Sequence, residues 1–226
     1  IIDRKIQTLG ALPDPKNKVK VLIFVEGEND VNALIGLSKL LNGADGNVIN
    51  LENNEAVAFI PTGGSQLKFY IEKKYLDGLL QSQVHIYDSD IPSYVQSVAD
   101  LNAEGIDTKI GFNTTKVELE NYLHHEAIIE CDQDLNININ LTESLENEDV
   151  PEKVAMAVHQ ETSDTDWNSI NPDPVKTEEK QKKKISKAKR QLNNLAIEKM
   201  TIERLTERGG FDEIKSWLDT IKAFVE

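Results

Sequence analysis

The chain has 226 residues, 39% of them hydrophobic and 28% charged, with a formal net charge of −14. That composition fits a globular protein of one large domain, or one domain with a sizeable insertion. It argues against binding nucleic acid over the whole surface, which needs many Lys and Arg to replace counterions, although a local basic groove or bound cations can reverse the sign in one place. No apolar run approaches the ~20 residues of a membrane span. The start, Ile1-Ile2-Asp3-Arg4, has neither Met nor an apolar leader, so a fragment of a longer, cytoplasmic protein is expected. A lone Cys131 makes neither an internal disulfide nor a cysteine zinc site. It reads as a small packed side chain in a reducing compartment.

Residues 1–17 read as a lead-in with Pro13 and Pro15. Lys18 to Val25 is a near-continuous apolar run, predicted as a strand covered on both faces. Asp30 to Leu41 places Val31, Leu34, Leu37, Leu40 and Leu41 at helical spacing, with Asn29 or Asp30 as cap and Gly43 as stop. Ala56 to Pro61 is a second strand, followed by Thr62-Gly63-Gly64-Ser65 and a helix over Gln66 to Leu80. Val84 to Tyr87 is a third strand, Tyr94 to Glu104 a helix, Thr108 to Phe112 a fourth strand, and Val117 to His124 a short helix. The alternation predicts an α/β domain over 18–130, with a mostly parallel sheet and helices on both faces. Residues 131–182 are rich in Asp, Glu, Asn, Thr and Pro. They read as an acidic insertion or partly mobile linker, with a possible short strand at Asn136 to Asn140 and one small helix. Residues 183–226 carry a basic helix and, after Gly209-Gly210, an amphipathic helix over Phe211 to Phe224.

The carboxylates stand out by position. Glu26 ends the first strand, Asp88 and Asp90 end the third, and Asp30 lies in the first turn of the first helix. Ligand sites in parallel sheets lie at the carboxyl ends of strands, and residues i and i+2 of a strand point to one side. Clustered carboxylates repel unless a cation sits between them, and hard ions such as Mg²⁺ and Mn²⁺ take oxygen ligands. The plainer reading is that Glu26 and Asp30 are helix-start acids and that Asp88 and Asp90 open a turn before Pro92. Gly63 and Gly64, at another strand end, offer backbone N–H groups to a phosphate, or form a simple strand-to-helix turn. His124 and His125 point about 100° apart on a helix, which favours a structural role.

Val25-Glu26-Gly27-x-x-Asp30 followed by a strand ending Asp88-x-Asp90 resembles the TOPRIM domain of topoisomerases, primases and OLD-family (overcoming lysogenization defect) nucleases. Lys116-Val117-Glu118-Leu119-Glu120-Asn121-Tyr122-Leu123 is similar to the stretch that follows the Asp-x-Asp strand in OLD-type nucleases. Asp88-Ser89-Asp90-Ile91-Pro92-Ser93 lacks the glycine of the topoisomerase form, which points to the OLD branch. The resemblance covers roughly 18–130 and resumes near 184–205. It implies a DNA endonuclease that uses two Mg²⁺ or Mn²⁺ ions, about 3.5–4 Å apart, to clamp the attacking and leaving oxygens. Glu26 and Asp30 would serve one ion or bridge both, Asp88 and Asp90 would complete the cluster, and Glu118 or Glu120 would add a ligand; the two face the same way only if that stretch is extended, and on a helix they diverge by about 200°, so one of them is expected. A lysine would stabilise transition-state charge. Lys187 is the choice, with Lys184 and Lys189 as substitutes. No Gly-x-x-x-x-Gly-Lys-Ser/Thr occurs, so ATP is not expected to bind this chain. The resemblance then implies the C-terminal nuclease domain of a protein whose ABC-type ATPase lies N-terminal to it, with a stand-alone TOPRIM subunit working with a separate ATPase as the alternative, and a full-length protein that is an oligomer, often in phage defence. A TOPRIM ribonuclease acting on ribosomal or transfer RNA, and a non-catalytic partner-binding module, are the alternatives.

Overall fold

A computed structural model describes residues 18–63, 81–142 and 145–226. Four strands form one parallel sheet: β1 (Val21–Val25), β2 (Val57–Pro61), β3 (Ser82–Tyr87) and β4 (Lys109–Asn113), in the order β2-β1-β3-β4. The α/β class and parallel sheet expected from the alternation are present. All five residues of β1 are buried, because that strand is central and covered on both sides. Val21, Ile23 and Val25 enter the larger core, and Leu22 and Phe24 enter a smaller one on the opposite face. The alternation of side chains along a strand produces this division.

α1 (Glu28–Ala44) covers the larger core with Ala33, Leu34, Leu37 and Leu41. α2 (Pro92–Ala103) covers the other face through Tyr94 and Val98. Gly111 of β4 lets α2 approach closely: a Cβ there would lie 3.1 Å from Val98 and 3.3 Å from Leu101. The C-terminal α7 (Phe211–Val225) buries Ile214, Trp217, Leu218 and Ile221, and Trp217 meets Phe112 of β4 and Tyr122 edge-on. No described helix is long and apolar enough to cross a membrane.

The second half departs from expectation. α3 (His125–Asp134), α4 (Val150–Thr162), α5 (Pro174–Asn194) and α6 (Ile202–Glu207) precede α7. Over its described residues, 131–182 is therefore packed rather than a linker: Val150, Val154, Ala155 and Trp167 join the larger core. Asn136 to Asn140 is not a strand. Asn136 turns with φ 60° and Ile137 donates its N–H to the Asp132 carbonyl at 2.9 Å. The basic helix begins eight residues before Lys182, at Pro174, capped by Asp173, which accepts from Val175 N at 3.0 Å. Proline at the first helical position costs no hydrogen bond. The lead-in (1–17) and the predicted helix over 66–80 lie outside the described residues.

Candidate metal centre

The chain passes from β1 to β2 on one side of β1 and then to β3 on the other. The carboxyl ends of β1 and β3 therefore flank the point where strand order reverses, the usual place for a ligand crevice in such sheets. Glu26 follows β1, Asp88 and Asp90 follow β3, and the segment after β4 folds over them. That segment is held by Asn121. Its Oδ1 accepts from Glu118 N at 2.9 Å, and its Nδ2 donates to the carbonyls of Leu145 (2.6 Å) and Glu148 (3.0 Å).

Asp88, Glu118 and Glu120 form the tightest group, each offering a carboxylate oxygen within 4.8 Å of the others. The expectation that only one of Glu118 and Glu120 reaches the site is corrected. Glu118 is extended (φ −138°, ψ 168°), and a 3₁₀ turn starts only at Leu119. Both side chains therefore end in one cluster, where an α-helix would have separated them. Glu120 is fully buried; its Oε1 accepts from Asn193 Nδ2 at 2.6 Å, while its Oε2 has no hydrogen-bond partner among the described residues. Asp88, also buried, accepts from Leu119 N at 3.0 Å.

Glu26, Asp30 and Asp90 border this group. Asp30 is buried and closes the first turn of α1, accepting from Gly27 N at 2.8 Å. Its helix-start role and its place beside the cluster coexist. Glu26 is half-buried and hydrogen-bonded to the Tyr94 hydroxyl. Burial raises the pKa of Glu26, reinforced by the Asp30 charge. Burial likewise raises Asp30 and Asp90, and raises Asp88 well above the usual range with help from the charges of Asp30 and Glu120. Glu120 is pushed up to about 7, chiefly by burial, against the opposing pull of Lys189.

Lys189 is the cation that acts on Glu26, Asp30, Asp88, Asp90 and Glu120 alike. Its Nζ lies 2.9 Å from Glu118 and 3.4 Å from Glu120. Burial works against its charge, but Glu120, Glu118 and Asp88 outweigh that and hold its pKa above the usual lysine value. Lys187, the lysine chosen from sequence, does not face this cluster but acts on Asp132, whereas its substitute Lys189 lies against the cluster. The two lysines lie about 200° apart around α5. Lys189 flanks the buried line of Ala188, Leu192 and Asn193, whereas Lys187 is exposed. Asn193 was missed. Its signal was the i, i+4 spacing from Lys189, which puts both on one helix face.

Gly63 does not present a free N–H to a phosphate. It turns with φ 57° and donates to the Glu26 carbonyl at 2.8 Å, tying β2 to the end of β1. Gly64 lies outside the described residues. His124 contacts Glu207 at 3.2 Å, and its ring lies tilted 38° against that of His125, centroids 4.3 Å apart.

The donor set is all oxygen and densely anionic, and among the described residues it leaves the buried Oε2 of Glu120 unsatisfied. Such a set suits a hard divalent cation, because an unpaired buried carboxylate is costly. No family model matches the chain, and no curated protein or solved structure matches it either.

Proposed function

We propose that this chain is a TOPRIM-like nuclease, hydrolysing phosphodiester bonds of DNA with Mg²⁺ or Mn²⁺. The observation that carries the reading is the convergence of Asp88, Glu118 and Glu120, with the unpartnered Oε2 of Glu120, at the β1/β3 crevice. Asp88, Glu118 and Glu120 would hold a cation, with Asp30 and Asp90 adding negative charge beside it. A bound divalent ion would supply Lewis acidity and lower the pKa of water. Glu26 lies at the half-open edge with a raised pKa, which suits it to accept a proton from water. Lys189, held protonated by its neighbours, offers positive charge to a phosphoryl oxygen. The family resemblance also brings an ATPase partner to this reading.

The test is incubation with supercoiled plasmid, linear DNA and structured RNA in Mg²⁺, Mn²⁺ or EDTA, alongside a Mn²⁺ titration followed by electron paramagnetic resonance. Cutting of DNA with metal, abolished by EDTA and by Glu118→Gln, is expected. Absence of both hydrolysis and Mn²⁺ binding refutes the reading. Mn²⁺ binding without hydrolysis of any nucleic acid would establish a non-catalytic module instead, and cutting confined to RNA a ribonuclease.

A further inference from the structure

A groove runs along the seam of α1 and α5. Its α1 wall begins with Glu28 and Asn29, directly after Glu26 and Gly27. Its α5 wall carries Lys183, Ser186, Lys187 and Arg190. Farther along, Asn32 and Gln191 continue the same two walls. Lys182, Ser186 and Arg190 repeat every four residues, as do Lys183 and Lys187, so they line one exposed stripe of the helix. Lys182 is paired with Glu178 at 2.6 Å. Among the described residues, Lys183, Lys187 and Arg190 form no ion pair. Lys183, Arg190 and Lys187, the last of which also acts on the buried Asp132, make a run of cations that contrasts with a chain whose net charge is −14. The acids nearest this groove include Glu28 and Glu179 in its own walls.

We infer that this groove is the track for a polynucleotide backbone entering the candidate metal centre. The inference rests on the nuclease reading for its direction, not for its chemistry. From Lys182 to Arg190 the helix rises about 12 Å, which matches three to four base-pair steps of about 3.4 Å. Phosphate oxygens take hydrogen bonds from Lys, Arg, hydroxyls and amides, and Ser186, Asn29, Asn32 and Gln191 stand among the cations. The stripe lies on the same helix as Lys189, on a different face. Glu28 and Asn29 in the groove follow Glu26 by two and three residues, so a backbone lying along the stripe ends beside the edge of the carboxylate cluster. Lys187 takes its place in this track.

The test is fluorescence anisotropy of the full chain with short labelled DNA and RNA duplexes in EDTA, across a salt series. Lys187→Glu with Arg190→Glu is compared with the same charge change at Lys18 and Lys153, on other elements. Binding is expected to weaken at least tenfold in the groove variant alone. The slope of log affinity against log salt should become shallower by about 1.8, at roughly 0.9 per lost phosphate contact. Equal losses in both variants, no binding by the unaltered chain, or equal competition by polyglutamate would overturn the inference. The DNA and RNA arms identify which backbone is bound. DNA cutting that persists with unchanged binding in the groove variant sinks the track and spares the nuclease. Groove-dependent binding without cutting under any metal does the reverse.

Discussion

Replacing Glu120 by Gln should stabilise the metal-free protein at alkaline pH, the opposite of what removing a buried, ion-paired side chain usually does. Glu120 is fully buried, and its pKa is pushed from 4.5 to about 7 even with Lys189 nearby. Between those values the folded state binds more protons than the unfolded one, so stability falls as pH rises through this window. Ionising such a carboxyl inside the fold costs about 3 kcal/mol, at roughly 1.4 kcal/mol per tenfold change in the proton equilibrium. Glutamine has the shape of the protonated acid and keeps the bond from Asn193, while Lys189 keeps Glu118 at 2.9 Å. In EDTA at pH 8.5 the variant should therefore gain up to about 3 kcal/mol, or roughly 6–12 °C in Tm for a domain of this size. At pH 5, where Glu120 is protonated in the fold but still largely ionised in the unfolded chain, the gain should shrink to under about 1 kcal/mol. Thermal unfolding by circular dichroism at both pH values measures this. Added Mn²⁺ should reverse the order, because a ligand that binds only the folded state stabilises by mass action and the variant has lost a donor. A Tm that falls at pH 8.5 in EDTA, or a gain equal at both pH values, would refute the account of Glu120 as a charge strained by burial.

Lys189→Met should destabilise the metal-free protein by about 2–3 kcal/mol at neutral pH, less than the roughly 3–5 kcal/mol of a fully buried pair because the side chain keeps some solvent. Mn²⁺ should recover part of that loss, and DNA cutting should fall by roughly 10²–10³-fold; Lys187→Met, at an exposed position, should leave stability within about 0.5 kcal/mol. A larger Tm loss for Lys187→Met than for Lys189→Met would contradict the assignment of the inward lysine. Asn121→Ala removes bonds to Glu118 N and to the Leu145 and Glu148 carbonyls and should cost about 2–4 kcal/mol in urea unfolding. A loss under about 1 kcal/mol would mean the segment after β4 is held by something other than this amide.

The two central strands, β1 and β3, were legible because strands buried on both faces leave a continuous apolar run, and helices leave a 3.6-residue period. β1, α1 and α7 were readable within a few residues. Asn136 to Asn140 was misleading: its alternation is strand-like, but the chain turns at Asn136 and Ile139 is buried without pairing. The helices over 150–194 were under-read because their apolar residues are sparse among acids and lysines, and their burial depends on a partner helix that local pattern does not reveal.

For the candidate site, the residue types and their places at strand ends were written in the sequence, since a strand that ends on a carboxylate does so whatever surrounds it. Strand order was not: only the assembled sheet puts β1 beside β3 and so brings Asp88 next to Asp30. The extended backbone at Glu118 likewise emerged only with Asn121 anchored to the 145–148 segment, and it is this that points both Glu118 and Glu120 inward. Lys189 and Asn193 are distant in sequence from the acids they meet. The choice between Lys187 and Lys189 turned on which face of α5 is buried, a property of the packed helices rather than of the lysine run itself.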